Sequence, residues 1–186
     1  MDLLAGVSAS WMTLPASTLP CRTRRLRSVT AFTIIELAIV TVVIGLITGI
    51  AVPGYRRIQR NTRFGVLNND FRVFAGAFQQ YNTVNGAWPV YSATVGTFPP
   101  GMEQYLRQSN WTKPTVFSGY YNWDYNIMHN GAKVKAAIAI YSVPGSTFVM
   151  TQAEMQQFDT LYDDGNLGTG YFQMGYQNSP VYVIEK

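Results

Sequence analysis

The run from Phe32 to Val52 constrains this chain more than any other stretch. FTIIELAIVTVVIGLITGIAV is 21 residues long and carries a single charge, Glu36. At about 1.5 Å per residue, a helix of this length crosses a hydrocarbon layer of roughly 30 Å. Ile34, Ile35, Leu37, Ile39, Val40, Val42, Val43, Ile44, Leu46, Ile47 and Ile50 occupy every side of that helix. It therefore has no stripe reserved for water. Hydropathy alone predicts a membrane span or an uncleaved signal anchor.

Glu36 adds a second constraint. A carboxylate at the centre of a membrane helix costs about 2.5–3.5 kcal/mol on insertion scales, and less near an end. Such a charge calls for a partner, and the apolar run offers none within helical reach. Upstream lies a basic cluster, Arg22, Arg24, Arg25 and Arg27, followed by Ala31-Phe32-Thr33-Ile34-Ile35-Glu36. This arrangement of leader, cut site, acid and apolar run resembles the processing site of type IV pilins and type II secretion pseudopilins. The resemblance implies that a prepilin peptidase cuts between Ala31 and Phe32 and methylates the new amine on Phe32. It implies that Glu36, fifth in the mature chain, pairs with the terminal amine of a neighbouring subunit. Two charges that are each unfavourable in lipid become tolerable once assembly joins them. The family favours glycine before the cut. This chain has alanine, the next smallest residue, and cleavage is expected to proceed more slowly.

The same resemblance assigns residues 1–31 to a leader, 32–53 to a transmembrane and filament-core helix, and 54–186 to a pilin-like globular domain. Met12 is an alternative start that leaves the mature chain unchanged. Arg22–Arg27 hold the leader in the cytoplasm, with Arg56, Arg57, Arg60 and Arg63 on the opposite flank. Those four read as a headgroup-level solvated cluster or as a subunit contact. Pro53 removes a backbone donor and crowds the preceding turn. It marks either the membrane boundary or the kink that many family members carry at mature position 22.

Beyond the span, Phe64, Leu67, Phe71, Phe74, Phe78 and Tyr81 recur at intervals of 3, 4, 3, 4 and 3. This is the apolar stripe of an amphipathic helix continuing to about Val84. Asn85-Gly86 and Pro89 stop it. Residues 90–133 read as ordered loop with a short helix at 101–108 and room for one short strand. Val134–Val143 reads as a strand, and Tyr171–Met174 and Val181–Ile184 as two more. Thr151 and Glu154 form a capping box that opens a helix carrying Met155, Phe158, Leu161 and Tyr162. The expected fold is α+β and pilin-like, a long N-terminal helix packed on a small antiparallel sheet.

Composition excludes several functions. Loss of residues 1–31 lowers the net charge from +4 to +1, leaving ten basic and nine acidic residues. No basic face suggests nucleic-acid binding. The one cysteine, Cys21, falls in the leader, so the mature chain forms no disulfide and has no thiol nucleophile. His129, the only histidine, reads as a loop residue without metal-ligand spacing, and no enzyme chemistry is expected. Asp163, Asp164 and Asn166 gather oxygen atoms around Gly165. Some major pseudopilins bind calcium in a C-terminal loop, while a helix-ending turn explains the same residues, which lack the spacing of an EF-hand. No other cofactor is implied.

The expected function is that of a structural subunit of a pilus-like filament or a secretion pseudopilus. It would sit as a single-pass inner-membrane protein with its C-terminal domain in the periplasm until extracted into the filament. The partners implied are like or related pilins, the prepilin peptidase, a platform membrane protein and an assembly ATPase. The rival expectation is a membrane-anchored extracytoplasmic binding module or enzyme that never polymerises.

Overall fold

The computed structural model describes residues 32–186, so the expected leader, with Ala31 and Cys21, lies outside the described residues. The described residues divide into two units between Gly45 and Leu46. In the first unit the described residues form the opening turns of helix α1, Ile34–Asn85, which is 52 residues long. Every residue from 32 to 59 is exposed. Among them, twelve large apolar side chains between Ile34 and Val52 are 42–89 % exposed. This is the one helix among the described residues long and apolar enough to cross a membrane.

Pro53 lies inside α1 and does not end it. Proline cannot donate to the carbonyl four residues back, and its ring crowds that carbonyl. Here the residue four back is Gly49, and no other group approaches within 4 Å of the place a Cβ would take there.

In the second unit α1 becomes one-sided, as the aromatic spacing predicts. Phe64, Leu67, Phe71, Phe74 and Phe78 are fully or almost fully buried, and Tyr81 is packed at the margin. Burying each such side chain contributes about 1.5–3 kcal/mol. Gly86, at φ 70°, closes the helix by donating its N–H to the Asn82 carbonyl, the left-handed stop expected of glycine.

The stripe packs on a four-stranded antiparallel sheet. Its strands are β1 Tyr120–His129, β2 Ala132–Tyr141, β3 Phe172–Met174 and β4 Pro180–Glu185, in the order β1-β2-β4-β3. Phe78 stacks on Trp123 at 3.9 Å between ring centroids, and Phe71 stacks on Tyr182 at 5.2 Å. Phe74 meets Tyr121 edge-on at 4.9 Å. The polar ends of these rings are satisfied. Trp123 Nε1 donates to the Pro89 carbonyl at 2.9 Å, and the Tyr121 hydroxyl donates to Asp70 at 2.9 Å. The opposite face of the sheet buries Val134, Ala137, Ala139, Val181 and Val183.

Strand β1 takes ten residues of the 90–133 stretch, longer than the one short strand the sequence leaves room for there. Asn130-Gly131, at φ 46° and 84°, forms the two-residue turn joining β1 to β2. Two left-handed residues in succession suit the twist of a hairpin, and Asn-Gly accepts them at low cost. The preceding segment covers the outer edge of β1 at Tyr121 and Trp123. Ser92 donates its N–H to the Trp123 carbonyl and Gly96 to the Tyr121 carbonyl.

The short helix expected at 101–108 is displaced to α2, Gln108–Trp111. Residues 102–106 form tight turns, with the Tyr105 and Leu106 amides both donating to the Met102 carbonyl. Trp111 is thereby placed against Phe74 and Phe78. Helix α3, Gln152–Tyr162, opens with both halves of the Thr151–Glu154 capping box. It buries Met155 and Phe158 as expected, while Leu161 and Tyr162 stay exposed.

Candidate functional site

At the start of α1 the Glu36 carboxylate turns back on the helix end. Its Oε2 accepts from the Thr33 amide at 2.8 Å and from the Thr33 hydroxyl at 2.8 Å. The Thr33 Oγ1 accepts in return from the Glu36 amide at 3.3 Å. This is a reciprocal capping box. The sequence reading left Glu36 without a partner within helical reach, and Thr33, three residues earlier, corrects it. A negative charge in the first turn also suits the positive end of the helix dipole. Phe32 is 77 % exposed beside it. The structure therefore groups Phe32, Thr33 and Glu36 at one helix end, with Pro53 some five turns further along. Arg56, Arg57, Arg60 and Arg63 follow Pro53, and Pro53, Arg56, Arg57 and Arg60 line one shallow surface hollow.

The second site follows α3. Asp163 Oδ2 accepts from the Tyr171 and Phe172 amides at 2.5 and 2.7 Å. Asp164 Oδ1 accepts from the Asn166 amide at 2.9 Å, and its Oδ2 accepts from the Thr169 hydroxyl at 2.6 Å. The Asn166 side-chain oxygen accepts from the Gly168 amide at 3.1 Å. All three residues singled out from sequence thus hold the loop between α3 and β3 in shape. Gly170, at φ 72°, lies so close to the Asp163 carboxylate that a Cβ would overlap it.

The sequence reading missed Asp159. It lies one turn before Asp163 on α3, has no exposed surface, and neither of its carboxylate oxygens meets a hydrogen-bond donor. One carboxylate oxygen from each of Asp159, Asp163 and Asp164 lies within 4.8 Å of the other two. Burial first, then the Asp163 and Asp164 charges, push the Asp159 carboxyl up to about 6. The Gly165 and Asn166 amides oppose that shift without reaching hydrogen-bond geometry. The Thr169 hydroxyl and Asn166 amide hold Asp164 below the usual carboxylate range. A buried carboxylate without donors beside two further acids is a donor set for a hard cation such as calcium, which takes oxygen ligands.

His129 is not a loop residue. It ends β1, is 5 % exposed, and places Nε2 3.1 Å from Asp124 Oδ2. Asp124, itself buried, accepts hydrogen bonds from Tyr141 and Asn122.

No family model matches the chain, and no curated protein is found to match it. The architecture stands as an α+β fold with a long, membrane-capable N-terminal helix whose second half packs on a small antiparallel sheet.

Proposed function

We propose that this chain is a pilin-like structural subunit, cut between Ala31 and Phe32 and assembled through its N-terminal helix into a pilus-like filament or secretion pseudopilus. One observation carries the reading. A single helix is exposed on all sides over residues 32–59 and then buries an aromatic stripe under a sheet, and the only charge in its apolar part sits in its first turn. A membrane accommodates such a surface, and so does a bundle of identical helices. In this reading Glu36 exchanges its Thr33 contacts for the free amine of a neighbour, which sets the register between subunits. The peptidase, platform protein, assembly ATPase and periplasmic placement follow from the resemblance, and no enzymatic activity is proposed.

The test is the mass and N-terminal sequence of the protein extracted from its native membrane, together with Glu36→Ala. A chain beginning at methylated Phe32, and loss of assembly in the variant, are the expected results. An intact leader with an Glu36→Ala variant that behaves like wild type would replace this reading with the anchored, non-polymerising domain.

We also propose a calcium ion for the acidic cluster, on the observation that Asp159 is sealed from solvent, without a donor, within reach of two further carboxylates. Calorimetric titration of the detergent-solubilised chain with calcium chloride tests it. Heat that disappears in Asp159→Asn supports the assignment, and no binding at millimolar calcium refutes it.

A further inference from the structure

On the sheet face turned away from α1, a cavity of about 470 Å³ is lined by Tyr91, Asn122, Tyr141, Tyr176, Gln177 and Ser179, among others, and no lining residue is charged. Its volume falls within the roughly 300–1,000 Å³ of small-molecule sites. Asn122 is 1 % exposed, and its amide nitrogen is held by two acceptors, the Ser92 carbonyl at 3.2 Å and Asp124 Oδ1 at 2.7 Å. Those bonds fix which end of the amide is which. They leave Asn122 Oδ1 buried, with no protein donor reaching it. The nearby Ser92 hydroxyl is buried in the same condition. A buried acceptor left unpaired is unfavourable, so the site favours a ligand that brings a hydroxyl donor to it.

The layer behind the lining is fixed. Asp124 accepts from Asn122 Nδ2 and from the Tyr141 hydroxyl at 2.7 Å, and His129 Nε2 lies 3.1 Å away. Its charge is therefore already engaged. Burial and the Asp124 charge raise the Tyr141 hydroxyl above the usual phenol range, which keeps it a donor. On the other side of the cavity, Gln177 and Asn178 stand at φ 54° and 59°, a left-handed conformation that non-glycine residues adopt only when the surroundings hold it. Gly175, which leads into that turn, lies directly against His129 and Val181, with no room for a Cβ. The turn is thus seated on the Asp124–His129 layer and carries Tyr176 and Gln177 to the cavity.

The geometry points to a site for an uncharged saccharide unit. The Gln177 amide and the Ser179 hydroxyl share the lining with Tyr91, Tyr141 and Tyr176, a mixture that suits the hydroxyls and C–H faces of a sugar, and the unpaired Asn122 oxygen calls for a donor. An anion would find no cation in the lining, and a cation would find no free carboxylate. A purely apolar ligand would suit Val95, Ile127 and Met128 in the lining but leave the Asn122 oxygen unpaired. This site belongs to the folded domain, and its occupancy is independent of whether the chain polymerises.

The test is saturation-transfer NMR and calorimetry on the full chain in a detergent without a sugar headgroup. The probes are galactose, N-acetylglucosamine, cellobiose and chitobiose, with glucosamine and sialic acid as charged comparisons. At least one neutral sugar is expected to bind with Kd below about 10 mM, and the charged sugars at least tenfold more weakly. Asn122→Ala should weaken that binding at least tenfold. Because Asn122 is buried, Tyr176→Ala, at a 59 % exposed position, serves as the variant that leaves the fold intact, and it should weaken binding at least threefold. Binding by no neutral sugar, equal binding of the charged ones, or binding unaffected by Tyr176→Ala in a folded protein would each overturn the assignment.

Discussion

Replacing Asp159 by asparagine should make the calcium-free protein more stable at neutral pH, contrary to the usual cost of altering a buried residue. The Asp159 carboxyl titrates at about 6 in the folded chain and at 3.8 in an unperturbed one. Between those values the native state binds the extra proton, so stability falls as pH rises from about 4 to about 6 and stays low above it. Two units at about 1.4 kcal/mol each amount to about 3 kcal/mol withheld at pH 7. Asparagine keeps the shape, carries no charge, and presents an oxygen toward the Gly165 and Asn166 amides. The assay is thermal unfolding of wild type and Asp159→Asn in a calcium chelator from pH 4 to 8. The difference between the two proteins isolates this one group. They should unfold together near pH 4 and diverge by about 6–12 °C at pH 7, with the variant higher. A gap that does not change with pH, or a variant that unfolds first at pH 7, would refute the argument.

Three further outcomes are expected. Calcium at a hundred times its dissociation constant should stabilise wild type by about 2.7 kcal/mol and leave Asp159→Asn unmoved, read as a shift in unfolding temperature on adding and then chelating the ion. Phe78→Ala removes a fully buried ring stacked on Trp123 and should cost about 3–5 kcal/mol in a denaturant titration; a loss below 1 kcal/mol would show that the stripe does not hold the domain. Thr151→Ala removes the cap of α3 and should cost about 1 kcal/mol, and Thr151→Ser should restore it.

The legible parts of this chain are those governed by local rules. The alternating 3-4 spacing from Phe64 to Tyr81 reports a helix face directly, because one face buried on one sheet needs no knowledge of what supplies that sheet. The Thr151–Glu154 box is equally local. Thr33 and Glu36 follow the same four-residue pattern, but the apolar run around them draws attention to the membrane and away from the cap. Strand β1 shows no clean alternation because both of its faces are covered. Tyr121 and Trp123 face the helix, while Asn122 and Asp124 are polar yet buried on the other side. The Asn130-Gly131 pair was the available sign of a hairpin. Asp159 gave no sign at all. An acid on the flank of a short helix normally faces water, and only the return of the Gly165–Asn166 turn seals it.

The covered outer edge of β1 bears on how copies of this chain can join. Ser92 and Gly96 bond to that edge at Trp123 and Tyr121, and β3 at the other edge is only three residues long, so both sides of the sheet offer little length for adding a strand. In the proposed filament, joining would fall to side chains and to the apolar helix, whose contacts have no hydrogen-bond register to break. A filament of the proposed kind, held without strand pairing between subunits, would let neighbouring domains slip and rotate by small steps under load while each sheet stays whole.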